Sequence, residues 1–304
     1  MSPADRSTGR GLSLETLWEA PTASTAPSAM VRGGRLPASL ATRYGPSLQI
    51  PLHRGRPTIV ANFVESLDGV VALGKESASG GGEISGFFEP DRLVMGLLRA
   101  AADVVLVGGG TVRAGASHVW TPGRVNPAAT DAYAAWRRSI GLVEPQSRTV
   151  IVTASGDIQP DHAALHAPDV PVTLLTSATG AKRLAALRLP AHVDVVQIVD
   201  RGAIPPAAIV AHLEETGVRL ALCEGGPHLL GDLVGIGALD ELFLTVAPQL
   251  LGRDGDDRFS FVEGVALPAG EGSWGDLVSV RRAQSHLFLR YRFAVGRSVG
   301  QRAG

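Results

Sequence analysis

The sequence predicts an α/β domain with a mainly parallel central sheet, helices on both faces and antiparallel strands at the C-terminal end. Two observations carry that prediction. From Pro57 onward, short apolar runs of strand length alternate with segments of helical period, the pattern of a parallel sheet covered on both sides. Near the end, two strand-like runs follow with little helix between them, which suggests an antiparallel edge.

The elements follow in order. "TIVANFV" (58–64) reads as a strand and "EPDRLVMGLLRAAA" (89–102) as a helix. "DVVLVGGG" (103–110) is a buried strand running into a glycine turn, and "AATDAYAAWRRSIG" (128–141) is a helix. Strands are expected at 148–155, 170–177 and 193–199, with a short helix over 181–187. "PPAAIVAHLEETG" (205–217) opens with proline and closes with glycine, as helices do. Strand 218–226, helix 227–236 and strands 240–248 and 285–295 complete the domain. Residues 1–56 read as an N-terminal extension, partly flexible, with a helical piece over 14–19. Residues 57–296 form the main domain, and 297–304 a flexible tail.

Composition narrows the function. A net charge of −1, with acidic and basic residues nearly balanced along the chain, gives no electrostatic footprint for nucleic acid or a membrane surface. The single cysteine, Cys223, excludes an internal disulfide, a cysteine-based zinc site and a Pro-Cys-x-x-Cys zinc deaminase; no metal is expected. No apolar run approaches membrane-span length and no signal-peptide core is present, so the expected location is the cytoplasm.

Three segments could carry chemistry. At "CEGGPHLLGDL", a buried strand ends in Glu224, Gly225 and Gly226, and Pro227 then opens a helix. Glycines admit a ligand close to the backbone, and the amides of residues 228–230 face outward at the positive end of the helix dipole, a phosphate site. The bland reading is a tight turn that needs glycine for geometry alone, and spacing does not choose between them. "LVGGGTVRAG" (106–115) is a second glycine turn, but neither a Rossmann fingerprint, since Arg113 stands where the third glycine belongs, nor a Walker loop. Two such turns in one domain suit a dinucleotide. "ANFVESLDGVVA" (61–72) puts Asn62, Ser66 and Asp68 at the end of the first strand, where Asp-Gly also reads as an ordinary turn. The glycine-rich stretch 77–86 reads as a mobile loop of the kind that serves as a lid. Arg99 falls almost opposite the apolar stripe of its helix and reads as solvated.

"NFVESLDGVVA", "LLRAAADVVLVGGGTV" and "CEGGPHLLGDL…GALDELFLTVAPQLLGR", in this order and at these separations, resemble the reductase domain of bacterial riboflavin biosynthesis, over about residues 57–293. The resemblance implies a dihydrofolate-reductase-like fold and an NADPH-dependent, usually dimeric enzyme that reduces a ribosylaminopyrimidine phosphate to its ribitylamino form, without flavin or metal. It places Thr111, beside Gly109 and Gly110, on the cofactor, together with Gly225, Gly226, Pro227, His228, Leu229, Leu230, Gly231 and Asp232. Val64 meets the cofactor through its backbone, and Thr153 or Ser155 meets its 2′-phosphate end. Substrate falls to Arg99 and Glu224, with Asn62 and Ser66 beside them, and Glu224 or Asp68 is expected to orient it or relay a proton. The chain departs from the family at Gly115, where an aspartate is usual, at Pro122, near a usual arginine, at Asn62 for lysine, and at Val70 for a basic residue; the deaminase half is absent. Those departures leave a dihydrofolate or pterin reductase, or a non-catalytic nucleotide-binding protein, as alternatives.

Overall fold

The computed structural model describes residues 12–21, 30–74, 81–115, 117–253, 258–268 and 272–293. The strands are β1 (Glu15–Glu19), β2 (Met30–Arg35), β3 (Ser47–Leu52), β4 (Thr58–Ser66), β5 (Val104–Gly108), β6 (Arg148–Val152), β7 (Val172–Ser177), β8 (Val193–Val199), β9 (Leu220–Cys223), β10 (Glu241–Ala247), β11 (Gly275–Ala283) and β12 (His286–Phe293). The helices are α1 (Ala38–Tyr44), α2 (Gly81–Ser85), α3 (Glu89–Ala101), α4 (Gly109–Ala114), α5 (Pro122–Val125), α6 (Thr130–Ser139), α7 (Ala178–Ala185), α8 (Pro206–Glu215) and α9 (Pro227–Gly235). None is long and apolar enough to cross a membrane.

Ten strands form one sheet in the order β1-β11-β12-β10-β4-β9-β5-β6-β7-β8. From β10 to β8 every neighbouring pair is parallel, while β12, β11 and β1 add an antiparallel edge. Side chains alternate between the two faces, as the strand period requires. Val60, Val105, Leu222 and Phe243 pack on the α3 and α6 side, and Ile59, Ala61, Leu106 and Cys223 on the α8 and α9 side. Within α3, Leu93, Leu97 and Leu98 are buried against the sheet, and Glu89 and Asp91 in its first turn complement the helix dipole. Strand β9 enters between β4 and β5, which were made much earlier in the chain. The order therefore reverses there, the kind of switch point at which open α/β sheets bind ligands.

The N-terminal part differs from expectation. Residues 15–19 form a strand rather than a helix, paired antiparallel with β11. All five of its side chains are exposed, so no burial period marks it. Arg281 of β11 ties the segment down: its guanidinium lies 4.5 Å from the Tyr44 ring and donates to the Tyr44 carbonyl and the Thr16 hydroxyl. Arg32 of β2 reaches the carboxylate of Asp103, which also accepts the amides of Arg219 and Leu220. Of the expected lid, 77–80 lie outside the described residues, as do 1–11 and 294–304. Its second half is helix α2, with Ile84 buried beside Val64 and Ala247.

Candidate active site

Glu224 leaves β9 at the carboxyl edge of the sheet, and its neighbours Leu220 and Leu222 face α3. Arg99 comes from the last turn of that helix. Its Nε donates to both Glu224 oxygens at 3.0 and 3.1 Å and its Nη2 to Oε2 at 2.5 Å, while Nη1 donates to the Thr121 carbonyl at 3.2 Å. Each side chain is only 8% exposed. Arg99 is therefore not solvated, as its helical position suggested; it bends under the 117–121 segment to reach a carboxylate on the neighbouring strand. With a second hydrogen left on each Nη, the fork can still donate to a ligand.

Beside this pair, the same face of the sheet carries Asn62, Val64 and Thr245. Asn62 is opposite Phe243 and Val64 opposite Thr245 in the parallel register of β4 and β10. Asp91, in the first turn of α3, is buried here, near the Thr245 and Ser85 side chains. Burial, helped by the Glu224 charge, pushes its pKa up to about 6. Sequence reasoning missed Asp91, because a carboxylate in a first helical turn already has an explanation in the dipole. His118 also escaped it. Partial burial and then the Arg99 charge lower the pKa of its imidazole. That ring explains Gly115: a Cβ there would fall 2.0 Å from His118 Nδ1, so an aspartate at 115 and this placement of His118 exclude one another.

The two glycine turns meet. A Cβ on Gly226 would stand 3.3 Å from the Thr111 hydroxyl, and one on Gly109 would stand 3.1 Å from the Thr153 side chain. Thr111 thus lies beside Gly226 and Thr153 beside Gly109, the latter two buried, with Gly110 exposed at the start of α4. Pro227 takes the first turn of α9, as expected. Of the three amides expected to be free, that of Leu230 is bonded to the Gly226 carbonyl, leaving those of His228 and Leu229. Gly225 and Gly231 are glycines for packing. A Cβ on Gly225 would strike the Leu229 side chain at 2.5 Å, and one on Gly231 the Glu263 carbonyl at 2.0 Å. Leu229 and Leu230 have buried side chains, whereas His228 and Asp232 are exposed. Gly231→Ala forces backbone apart, and overpacking of this kind costs about 1–3 kcal/mol; a thermal melt of the variant checks it.

Ser66 and Asp68 stand apart from this cluster. The Ser66 hydroxyl donates to Asp68 at 2.5 Å and accepts the Val70 amide. Asp68 also accepts the amides of Leu251 and Gly252. The Ser66 bond and those amides lower the Asp68 pKa to about 2, which leaves no proton to relay at neutral pH. Asp68 is a clamp between two loops. Ser155 is exposed at the end of β6, its hydroxyl accepting the Asp157 amide. Arg113 donates to the Asp157 carbonyl and Arg183 pairs with the Asp157 carboxylate at 2.6 Å, which brings two cations to that end of the surface.

The match to the RibD C-terminal domain model runs over residues 57–268, most of the chain and every element of this site. The chain belongs to that family. Over 213 residues it is 27% identical to the 2,5-diamino-6-ribosylamino-4(3H)-pyrimidinone 5′-phosphate reductase of Methanothermobacter thermautotrophicus, covering 70% of this chain and 86% of that protein. RibD of Acinetobacter baumannii superposes with a TM-score of 0.55 at 21% identity, over 79% of this chain and 59% of that one. The bifunctional deaminase and 5-amino-6-(5-phosphoribosylamino)uracil reductase of Thermotoga maritima gives a TM-score of 0.55 at 18% identity, over 79% of this chain and 57% of that one. The chain thus spans under two thirds of these two RibD proteins. The family is that of the riboflavin-biosynthesis pyrimidine reductases, with a dihydrofolate-reductase-like fold.

Proposed function

We propose that this protein is an NADPH-dependent reductase of a ribosylaminopyrimidine phosphate. The observation that carries the reading is the buried Arg99–Glu224 pair beside two converging glycine turns. The gap at Gly226 fits a cofactor, because any larger residue there would close the space before Thr111. NADPH, when bound, would supply the hydride for C1′ of the ring-opened ribosylimine, while a proton from water on the nitrogen completes the ribitylamine.

The chain's own residues do the rest. The amides of His228 and Leu229, at the positive end of α9, and the Thr111 hydroxyl hold the pyrophosphate. Thr153 and Ser155 meet the adenosine end, where Arg113 and Arg183 favour a 2′-phosphate over a hydroxyl. The Glu224 carboxylate fixes the Arg99 fork, which donates its remaining hydrogens to substrate, and Asn62 offers an amide from the same face. The reductase unit is residues 57–296, with β1 of the N-terminal extension added to its sheet. The second reading, a dihydropterin reductase, rests on Gly115 and His118, which reshape the segment where the resemblance implies aspartate and arginine.

A melt against nucleotide tests the cofactor. NADPH at 100 times its dissociation constant stabilises the native state by about 2.7 kcal/mol, and NADH stabilises it less at the same concentration. Arg113→Ala with Arg183→Ala removes that preference without lowering the unliganded melting temperature, since exposed pairs contribute little. No shift with either nucleotide would overturn the reading.

A further inference from the structure

Arg137 of α6 is set apart from the other buried arginines. Among the described residues, Arg32, Arg99, Arg281 and Arg290 each pair with a carboxylate, of Asp103, Glu224, Glu19 and Glu241 in turn. Arg137, 3% exposed, meets only neutral oxygens. Burial lowers its pKa to about 10, so the guanidinium stays charged at neutral pH. Its Nε donates to the Glu144 carbonyl at 2.7 Å and its Nη2 to the Gln146 carbonyl at 3.2 Å, which fixes the loop after α6. Its Nη1 lies 3.0 and 2.6 Å from the carbonyls of Ala100 and Ala102, and 3.2 Å from the Ser147 hydroxyl. Ser147, 1% exposed, holds that hydroxyl 2.6 Å from the Arg99 carbonyl and 2.9 Å from that of Ala102.

The last carbonyls of a helix lack partners within it, and a glycine just beyond commonly supplies the turn that satisfies them. No such glycine follows α3, where Ala102 and Asp103 lead straight into β5. A cation and a hydroxyl from outside the helix take those carbonyls instead, and the cation complements the negative end of the dipole. The turn they hold is the one that carries Arg99. We propose that Arg137 and Ser147 are positioning residues for the reaction, clamping the last turn of α3 so that the Arg99 fork stays aimed at Glu224 and substrate. The inference rests on the pyrimidine-reductase reading of the site. A long side chain carries a small backbone displacement out to its tip, and a misplacement of about 1 Å costs about 10²-fold in rate. None of the clamp's hydrogen-bond partners lies in either glycine turn, so its loss falls on substrate and not on cofactor.

Ser147→Ala removes the link to the Arg99 carbonyl and is the milder change, while Arg137→Lys keeps the charge but cannot span the same acceptors. The test measures kcat and KM for 2,5-diamino-6-ribosylamino-4(3H)-pyrimidinone 5′-phosphate, NADPH affinity and amide hydrogen exchange, all on the full chain. Both variants are expected to lower kcat/KM for the pyrimidine by about 10–10²-fold and to leave NADPH affinity unchanged. In an Arg99→Lys background Ser147→Ala adds no further loss, because the group it positions is already altered. Exchange rises about 10-fold at the Ala102 amide, which closes α3 on the Leu98 carbonyl, and stays unchanged in α9. Equal losses toward substrate and NADPH, a full further loss in the Arg99→Lys background, or exchange raised alike in α3 and α9 would overturn the proposal and leave the pair a support of the fold alone. If the wild type turns over no pyrimidine, the reductase reading fails, and faster exchange confined to the end of α3 still upholds the clamp on Arg99.

Discussion

Glu224→Ala lowers the stability of the protein by about 3–5 kcal/mol, the cost of leaving a buried charge without its partner. The partner is Arg99, whose fork would be left with the Thr121 carbonyl alone. Glu224→Met with Arg99→Met recovers much of the loss, because removing both charges also removes the burden of desolvating them. The recovered protein remains inactive, which separates the pair's role in the fold from its role in the site. Glu224→Gln, close in shape, lowers turnover by about 10²–10³-fold, the range for losing one preorganised charged contact. It leaves NADPH affinity unchanged. Denaturant melts and steady-state kinetics on the same preparations check each outcome, and an equal loss of turnover and NADPH affinity in Glu224→Gln would contradict the assignment.

Asp91→Asn has the second large effect, and its size depends on pH. The folded pKa of about 6 lies above the ordinary 3.8, so the native state holds this proton more tightly than the unfolded chain. The contribution of Asp91 to stability is fully present below about pH 4 and is lost as pH rises through about 6. At neutral pH the wild type carries the cost of a buried carboxylate that the amide avoids, on the order of 3 kcal/mol for a shift of about two units. Asp91→Asn therefore melts higher than wild type at about pH 8, by several degrees, with the gap closing toward about pH 4. Melts of both proteins across that range check the closing of the gap; a constant difference would mean that the carboxyl is not the source.

The sequence made the parallel part of the sheet legible, because strands such as β5 and β9 are apolar nearly throughout and are set off by helices that open on proline. Three kinds of element were not. Strand β1 has no buried face and exists through pairing with β11, which no local pattern reports. Strand β11 buries Arg281, so its inward positions read as polar. Helix α4 begins inside three glycines, where helix propensity is weakest. The site divides similarly. The glycine turns were visible because glycine at a strand end has few uses, although Gly225 and Gly231 prove to serve packing. Arg99 was misjudged by periodicity, since helical position fixes where a side chain begins and not where a long one ends. Asp68 was legible as a turn residue and is one. Asp91 and Thr245 are joined only by the fold.

The most direct measurement is NADPH oxidation by the purified protein with 2,5-diamino-6-ribosylamino-4(3H)-pyrimidinone 5′-phosphate, with the uracil counterpart and a dihydropterin alongside. The account predicts that the pyrimidine phosphate drives oxidation and yields the ribitylamino product, and that Glu224→Gln loses this activity while still binding NADPH. Oxidation with the dihydropterin alone, or with none of the three, would contradict it.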